Sequence, residues 1–563
     1  MAIEIRETTA QRAERLKREK NPWEALDELR AFAARGIDDA PPEWLGTYLR
    51  WWGVYTQGDG AGVVGGRGGV GASAPYLMLR IRLTAGQITA AQLRVVAAIA
   101  ERHARGVADI TVRQNIQLHW IALESLPEVL DTLWRAGLTT KGSCGDDARN
   151  ITSCPLAGID AAEIVDATPL ARAATELLIG GAEFYNLPRK FKVSISGCRS
   201  WCSVPEINDL AFTAREREGA VGFDVRIGGG LSADPHLAVP LGVFVPHDDV
   251  LAVVRAVAET FRDADELRTH RDRARLKHLF TRHGWTAERF REEIERRLGR
   301  SLERDAGARP PAGGHRDHAG LFPQKQPGLV FAGIPILRGR VTARQLAAVA
   351  DAADRYGSGE VRTTNMQNLL VINVPQERAE PLLRHLASAE LYTTASSFAR
   401  GAIACTGTEF CKLAITETKS FTRWLVEELE RRIPRFDEHL KLNVTGCPNS
   451  CGQHWIADIG IEGKKIRGDD GLIDAYYFCV GGGVGEGASL ARPIGYRCAA
   501  GDVPDAIERL LRAFLERRRP AETVRAFLAR HAEDDIRLML SGHPQAIAER
   551  DQPVAAPPHG LEV

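Results

Sequence analysis

Residues 89–118 read "TAAQLRVVAAIAERHARGVADITVRQNIQL", and residues 342–371 read "TARQLAAVADAADRYGSGEVRTTNMQNLLV". The two align without a gap. Thr89 matches Thr342, Gln92 and Leu93 match Gln345 and Leu346, and Arg102 matches Arg355. Gly106 matches Gly359, Thr111 matches Thr364, and Gln114 and Asn115 match Gln367 and Asn368. Each copy opens with apolar residues at helical spacing, turns at a glycine, and runs on as a strand through the Gln-Asn pair. A second helical stretch follows, "LPEVLDTLWRAGL" at 126–138 and "RAEPLLRHLASAEL" at 378–391. This is an α+β unit written twice, and the copies are expected to pair into one sheet-and-helix domain.

The duplication extends beyond these units. "KFKVSISGCRSWCSVPEINDLAF" at 190–212 lines up with "HLKLNVTGCPNSCGQHWIADIGI" at 439–461, so Lys192 meets Lys441 and two Cys-x3-Cys pairs coincide. Further on, "VRIGGGLS" around Gly228–Gly230 matches "FCVGGGVG" around Gly481–Gly483. Each half is therefore a small unit followed by a larger one with a cysteine turn and a triple-glycine turn. The expected division is 1–75, an N-terminal extension and Gly-rich loop; 76–142, the first half-repeat; and 143–325, the first large domain. The second half-repeat at 326–396, the second large domain at 397–540 and a tail at 541–563 complete it. The stretch "GDGAGVVGGRGGVGASAP" at 58–75 reads as a mobile loop. Residues 263–304 read as basic and helical, and the segment after them as a linker between the halves.

The chain has 563 residues, with Lys+Arg and Asp+Glu both at 73 and a formal net charge of zero. That balance argues against bulk nucleic acid or an anionic membrane as the main partner, while leaving room for a local basic pocket. No run of eighteen apolar residues occurs, so no membrane span is expected. The charged, amphipathic N-terminus lacks an apolar signal core, and a cytoplasmic location is expected. Ten cysteines in such a chain are expected to be reduced thiols, some of them metal ligands.

Cys447 and Cys451 sit on a Gly/Pro/Asn/Ser turn, and upstream "ACTGTEFCKLA" adds Cys405 and Cys411. Four thiolates from two loops suit tetrahedral zinc or a [4Fe–4S] cluster. The x5 and x3 spacings differ from the x2 knuckles of zinc ribbons and favour the cluster, with zinc left open. In the first half Cys154 aligns with Cys411, but Ala148 stands where the second half has Cys405. Only the second half has a complete set. Cys154, Cys198, Cys202, Cys479 and Cys498 are accordingly expected as buried small hydrophobes. A second cluster on the three first-half thiols, with Cys144 as fourth ligand, is the alternative.

"CTGTEFCKLAITETK" at 405–419, joined to "NVTGCPNSCGQ" at 443–453, resembles the paired signature of the sirohaem-containing nitrite and sulfite reductases. "LMLRIRL", "VRQNIQLHWI", "SCPLAG", "NLPRKFK", "INDLAF" and "RARLKHLF" agree, and the resemblance spans about residues 45 to 540. It implies a pseudo-twofold α+β fold: two ferredoxin-like half-repeats pairing into one domain, plus two larger α/β sirohaem-reductase domains. It also implies a [4Fe–4S] cluster on Cys405, Cys411, Cys447 and Cys451, with Cys451 bridging to the sirohaem iron. Sirohaem carries many carboxylates, and the family's pocket maps onto Arg113, Gln117 and Arg189, with Asn115 as a neighbour. Arginine forks onto carboxylates, which suits that task. The family's anion cage maps onto Arg80, Arg149, Lys190 and Lys192, of which Lys190 and Lys192 alternate on a strand and share a face.

The reaction the resemblance implies is a six-electron reduction, of sulfite to sulfide or of nitrite to ammonia. No flavin or nicotinamide motif is present, since the triple-glycine turns lack a Rossmann context. A small donor such as ferredoxin is therefore expected, with the basic 263–304 segment as a candidate dock. The chain is expected to act as a monomer, without nucleic acid or membrane. Some bacterial relatives carry a Tyr–Cys thioether beside the substrate, and Tyr55 and Cys144 match that pair. The rival from another class is a non-enzymatic Fe–S electron-transfer protein, which would need no cation cage. Family sulfite reductases tend to have lysine at the position of Lys192 and plant-type nitrite reductases asparagine, so sulfite is favoured. Lys192→Asn should then lower kcat/KM for sulfite about tenfold more than for nitrite, the size of one charged hydrogen bond. Equal losses in steady-state assays on both anions would count against this charge argument.

Overall fold

The computed structural model describes residues 7–58, 73–307, 309–311, 316–436, 438–469 and 471–542. Most of the expected Gly-rich loop, at 59–72, and the expected C-terminal tail from 543 onward lie outside the described residues.

The duplicated units form two five-stranded sheets. The first runs in the order Val54–Gly58, Ser73–Ile81, Ile116–Ala122, Val107–Ile110, Arg340–Thr342. The second runs Gly320–Pro323, Leu329–Ile334, Leu369–Pro375, Glu360–Thr363, Gln87–Thr89. Each sheet is thus finished by a strand from the other copy. Arg340 pairs with Asp109 across one seam, and Thr89 with Glu360 across the other. Helices Ala90–His103 and Ala343–Tyr356 follow the exchanged strands directly and pack in one shared apolar core. Both begin with a capping box: Gln92 N and Gln345 N donate to the Thr89 and Thr342 hydroxyls at 3.2 and 3.1 Å, and each glutamine side chain accepts from its threonine N–H. Exchange needs close backbone approach. A Cβ on Gly86 would lie 2.3 Å from Thr363 O, and one on Gly339 2.5 Å from Ile110 O; both have positive φ, so glycine is required twice over.

The Gln-Asn pair does not continue a strand as the pattern implied. It lies in the hairpin turn, with Gln114 at φ 58° and Gln367 at φ 63°. The reason is a second exchange of hydrogen bonds. Gln114 Nε2 donates to Thr363 O at 3.1 Å, while its Oε1 accepts from Ser153 N at 3.1 Å. Gln367 Nε2 donates to Ile110 O and to Ala404 O, and its Oε1 accepts from Ala404 N at 3.3 Å. Each glutamine therefore joins the other half-repeat to the residue that immediately precedes a cysteine of its own large domain, Ser153 before Cys154 and Ala404 before Cys405.

The large domains repeat one topology. The first has a six-stranded sheet in the order Glu303–Arg304, Val239–Pro246, Ala220–Ile227, Leu210–Arg217, Val193–Ser196, Thr152–Ser153. The second has Ala402–Ala404, Leu442–Thr445, Ile459–Gly468, Gly471–Val480 and Arg492–Ala499. In both, three neighbouring strands are parallel and the rest antiparallel. The cysteine loops follow the carboxyl ends of adjacent parallel strands, where open α/β sheets place ligands. Among the described residues no helix is long and apolar enough to cross a membrane.

Gln367→Leu leaves two buried carbonyls and a buried N–H unpaired, which costs about 1–3 kcal/mol for each such group. Thr342→Ala removes one cap, about 1 kcal/mol. In thermal unfolding of the holoprotein Gln367→Leu should lower the apparent Tm clearly more than Thr342→Ala; indistinguishable shifts would mean that the glutamine bridge carries no load.

Candidate active site and cluster loops

Cys405 follows the strand Ala402–Ala404, and Cys447 follows its parallel neighbour Leu442–Thr445. The two loops are sewn together: Cys405 N donates to Val444 O at 3.1 Å, Ile415 N to Gly446 O at 2.7 Å, and Gly446 N to Cys405 Sγ at 3.2 Å. A Cβ on Gly452 would lie 2.3 Å from Val444 O, so only glycine lets the turn after Cys451 close on the first loop. Ser450 is left-handed at φ 54°, a conformation uncommon outside glycine, and Cys451, next to it, is exposed. Cys405 and Cys411 are half-buried and Cys447 is buried. Burial, and then the Cys451 thiolate, push the thiols of Cys405, Cys411 and Cys447 upward, Cys411 to about 12. Three buried or half-buried thiols raised in this way, with the exposed Cys451 close enough to act on each, are a donor set suited to a multivalent metal centre.

The cations meet from the other half. Arg80, on Ser73–Ile81, lies opposite Gln117 in the sheet, and Gln117 Oε1 accepts from its Nε and Nη2 at 3.2 and 3.1 Å. Arg80 Nη1 also donates to Ser143 O and lies 3.1 Å from Cys144 Sγ. Arg149 Nη1 donates to the same Ser143 carbonyl and its Nη2 to Gly145 O at 2.6 Å. The loop around Cys144 thus holds both guanidiniums. Tyr55, beside this loop, has its hydroxyl pushed up by burial and then by Cys144, and Arg50 stacks 5.6 Å from its ring centroid. Arg113 sits on the hairpin turn, donating to Asn208 Oδ1 at 2.8 Å and Asn150 O at 2.6 Å.

Lys190 is pushed down to about 7 by burial and then by Arg275, Arg189 and Arg149, with Cys451 acting in the opposite direction. Burial, then Arg113, Arg275 and Lys190, hold Lys192 well below the usual lysine range, against Asp209. Lys190 therefore lies within electrostatic reach of both the cation cluster and the outermost thiolate. Arg113 falls to about 9 and Arg189 to about 10, both through burial first. Arg113 Nε, Arg149 Nε and Arg82 Nη1 are buried without a hydrogen-bond partner. Mutually repelling, under-partnered cations beside a set of four thiols fit a polycarboxylate macrocycle next to an Fe–S cluster.

Two expected pocket residues do other work in this structure. Asn115 Oδ1 accepts from Leu83 N, and Asn368 repeats the same bond to Ile336 N at 2.8 Å in a half with no cation cluster. Asn115 is thus a backbone brace. Gln117 spends its oxygen on Arg80 and positions it.

The sequence reading missed the support behind the site. Arg275 forks onto Asp209 at 3.2 and 2.8 Å, and Asp209 also accepts from Lys192 N. Asp146 accepts from Arg189 at 3.2 Å and from Arg271, and Lys17 of the N-terminal helix reaches it at 3.5 Å. Part of the basic 263–304 segment serves the site instead of solvent: Arg268, Arg271, Arg275 and Lys277 turn inward, and Arg296, Arg297 and Arg304 pair with Glu293, Asp263 and Glu295, while Arg273, Arg282 and Arg289 are exposed. Asp147, between Arg82 and Arg149, has no hydrogen bond to either carboxylate oxygen, its Oδ1 lying 3.6 Å from Arg149 Nε, and burial pushes it up to about 8 against the pull of Arg149 and Arg82.

The nitrite and sulphite reductase 4Fe-4S domain matches residues 144–302 and 395–541. The nitrite/sulfite reductase ferredoxin-like half domain matches 72–135 and 322–389, the two copies read from the repeat. The chain is 35% identical over 546 residues to an assimilatory ferredoxin-dependent nitrite reductase of Haloferax mediterranei, covering 91% of this chain and 90% of that one. It is 36% identical over 535 residues to the sulfite reductase [ferredoxin] of Mycobacterium tuberculosis, covering 93% and 95%. The structure of the Mycobacterium tuberculosis NirA protein superposes with a TM-score of 0.89 at 35% identity, covering 93% of this chain and 97% of that one.

Gly452→Ala tests the loop closure. The variant should fold with its far-ultraviolet circular dichroism intact but lose most of its non-haem iron. Full cluster loading would show that the tight approach of Gly452 to Val444 O is not needed.

Proposed function

The chain belongs to the nitrite and sulphite reductase family, with sirohaem and a [4Fe–4S] cluster as its cofactors, and we propose that its own reaction is the six-electron reduction of sulfite to sulfide. The observation that carries the reading is Lys190, which lies within electrostatic reach of both Arg149, Arg189 and Arg275 and the thiol of Cys451. An anion held among these cations lies against the outermost cysteine of the cluster loops. A chain that only passed electrons would have no need for such a cage.

When bound, the cluster and sirohaem supply the electrons and the iron that takes the anion. Cys405, Cys411, Cys447 and Cys451 would hold the cluster, and the exposed Cys451, turned out by Ser450, would be the cysteine shared with the haem. Arg113 and Arg189 would face the tetrapyrrole carboxylates, and Arg275 braces Lys192 through Asp209. Arg80, Arg149, Lys190 and Lys192 concentrate the anion and polarise its bonds to oxygen. Each oxygen leaves as water and so needs two protons. Lys190, near 7, and Asp147, near 8, both hold and release protons around neutral pH, which suits that supply. Two neighbouring lysines suit a doubly charged anion. Nitrite to ammonia at the same site is the second reading, which the similarity to the Haloferax mediterranei nitrite reductase favours.

The donor we propose is ferredoxin, which the names of both relatives print. Tyr55 and Cys144 are proposed as a thioether pair. Peptide mass spectrometry should find the two joined with the loss of two hydrogens; separate unlinked peptides would dismiss the link.

Lys190 also sets a pH dependence. Its ammonium is present below about 7 and is lost as pH rises through that value, so kcat/KM for the anion should fall on the alkaline side. Lys190→Arg should flatten that limb, because arginine stays charged. Identical pH profiles for the two enzymes would remove Lys190 from the cage.

A further inference from the structure

Cys154, Cys198 and Cys202 were expected to be inert buried thiols. The structure gathers their sulfurs so that all lie within 4.8 Å of one another. A fourth donor stands beside them. His318, from the segment that joins the two halves, has Nε2 3.3 Å from Cys202 Sγ, and its Nδ1 is buried with no hydrogen-bond partner. The three cysteines are at most 1% exposed and His318 is 5% exposed.

We propose that Cys154, Cys198, Cys202 and His318 bind a single structural metal ion, zinc by preference. Three cysteines and one histidine, with no open position, are a structural zinc set. Spacing separates this from a second Fe–S cluster. Tetrahedral zinc with Zn–S near 2.3 Å holds sulfurs about 3.8 Å apart, which the first-half group accommodates. A cubane needs space for irons and sulfides between its thiolates. Among the described residues the second-half cysteines include no three within the 4.8 Å that the first-half group satisfies. One structure thus holds a narrow set and a wide one at equivalent places.

The divergence has a local cause. The two cysteine turns share a backbone: Trp201 and Val204 are left-handed at φ 50° and 54°, as Ser450 and Gln453 are at 54° and 62°. Cys202 is nonetheless fully buried where Cys451 is exposed. Leu156, Phe331, Leu370 and Ile372 pack around the three thiols and close the site to any large cofactor. Cys154 does not stand at the place of Cys411, as the sequence alignment implied. Ser153 pairs with Ile195 as Ala404 pairs with Val444, and Ile164 N donates to Gly197 O as Ile415 N does to Gly446 O, so Cys154 stands at the place of Cys405 and Asp160 at that of Cys411. The missing ligand arrives from a different direction on the interhalf segment. His318 is itself left-handed at φ 60°, and a Cβ on Gly333 would lie 1.7 Å from its carbonyl oxygen, so the backbone is built to admit it. The flanking residues are anchored too. Arg316 pairs with Asp160, and Asp317 accepts a fork from Arg400 at 2.8 and 3.0 Å, just ahead of the strand that leads to Cys405. An ion here would clip the interhalf segment to the first large domain. Ligation takes the protons from the three thiols and releases them to solvent. The resulting site carries one net negative charge, which Arg316 and Lys441 face.

Metal analysis of the purified holoenzyme tests this. Zinc should be present at about one per chain, with iron no higher than sirohaem and one [4Fe–4S] cluster require. X-ray absorption at the zinc edge should show three sulfurs at about 2.3 Å and one nitrogen at about 2.0 Å. His318→Ala should lower zinc at least tenfold while keeping the sirohaem absorption. His318→Cys should retain the ion in a four-sulfur shell, which keeps the test decisive if other variants fail to fold. Zinc at trace level in the wild type, a shell of surface oxygen and nitrogen ligands, iron in excess by a second cluster, or a disulfide among the three cysteines would each overturn the proposal.

Discussion

Two buried glutamine side chains hold the halves of this molecule in register. Gln114 and Gln367 each bond the opposite half-repeat on one side and the strand ahead of a cysteine loop on the other. The exchanged strands Gln87–Thr89 and Arg340–Thr342 run alongside these bonds. Buried amides left unpaired are expensive, so the two large domains are tied into one geometry through the same pair of residues. The pseudo-twofold relation is therefore a hydrogen-bonded constraint as well as a trace of duplication. Its consequence reaches the site: Lys190 of the first half feels Cys451 of the second, while Lys441 of the second feels Cys202 of the first.

On that symmetric frame the halves have taken different chemistry. The second turns its last cysteine outward, where Cys451 helps raise the thiols of Cys405, Cys411 and Cys447. The first gathers Arg113, Arg149, Lys190 and Lys192, with Arg149 depressing Lys190 and both Arg113 and Lys190 depressing Lys192, and braces them from behind with Asp209, Asp146 and Arg275. Concentrating this much positive charge in a buried place is costly without anions. A polycarboxylate cofactor and an oxyanion substrate are the ligands that relieve it. On the proposed reading, the enzyme's working asymmetry is an electron-supplying half facing an anion-holding half.

The repeat and the cysteine spacings were legible because both depend on short-range pattern: helical periodicity, glycine turns and ligand count. The fold class and the complete cysteine set in the second half could therefore be read from the chain. Other parts could not. The Gln-Asn pair looked like strand because its partners lie hundreds of residues away, and only those partners explain the turn. Arg271, Arg275 and Lys277 read as a solvated basic helix, since sequence does not show that Asp146, Asp209 and the Gly230 turn wait to receive them. His318, in a linker of low apparent order, carried no spacing signal that would join it to Cys202.

The central claim is that Cys451 delivers electrons to an anion held by the first half. It is tested most directly by sulfite turnover of a Cys451→Ser holoenzyme with a chemical reductant, measured beside wild type at matched iron content. The account predicts that sulfide production is lost while the protein keeps its fold and its first-half cation cage. Sulfide production at the wild-type rate would contradict it.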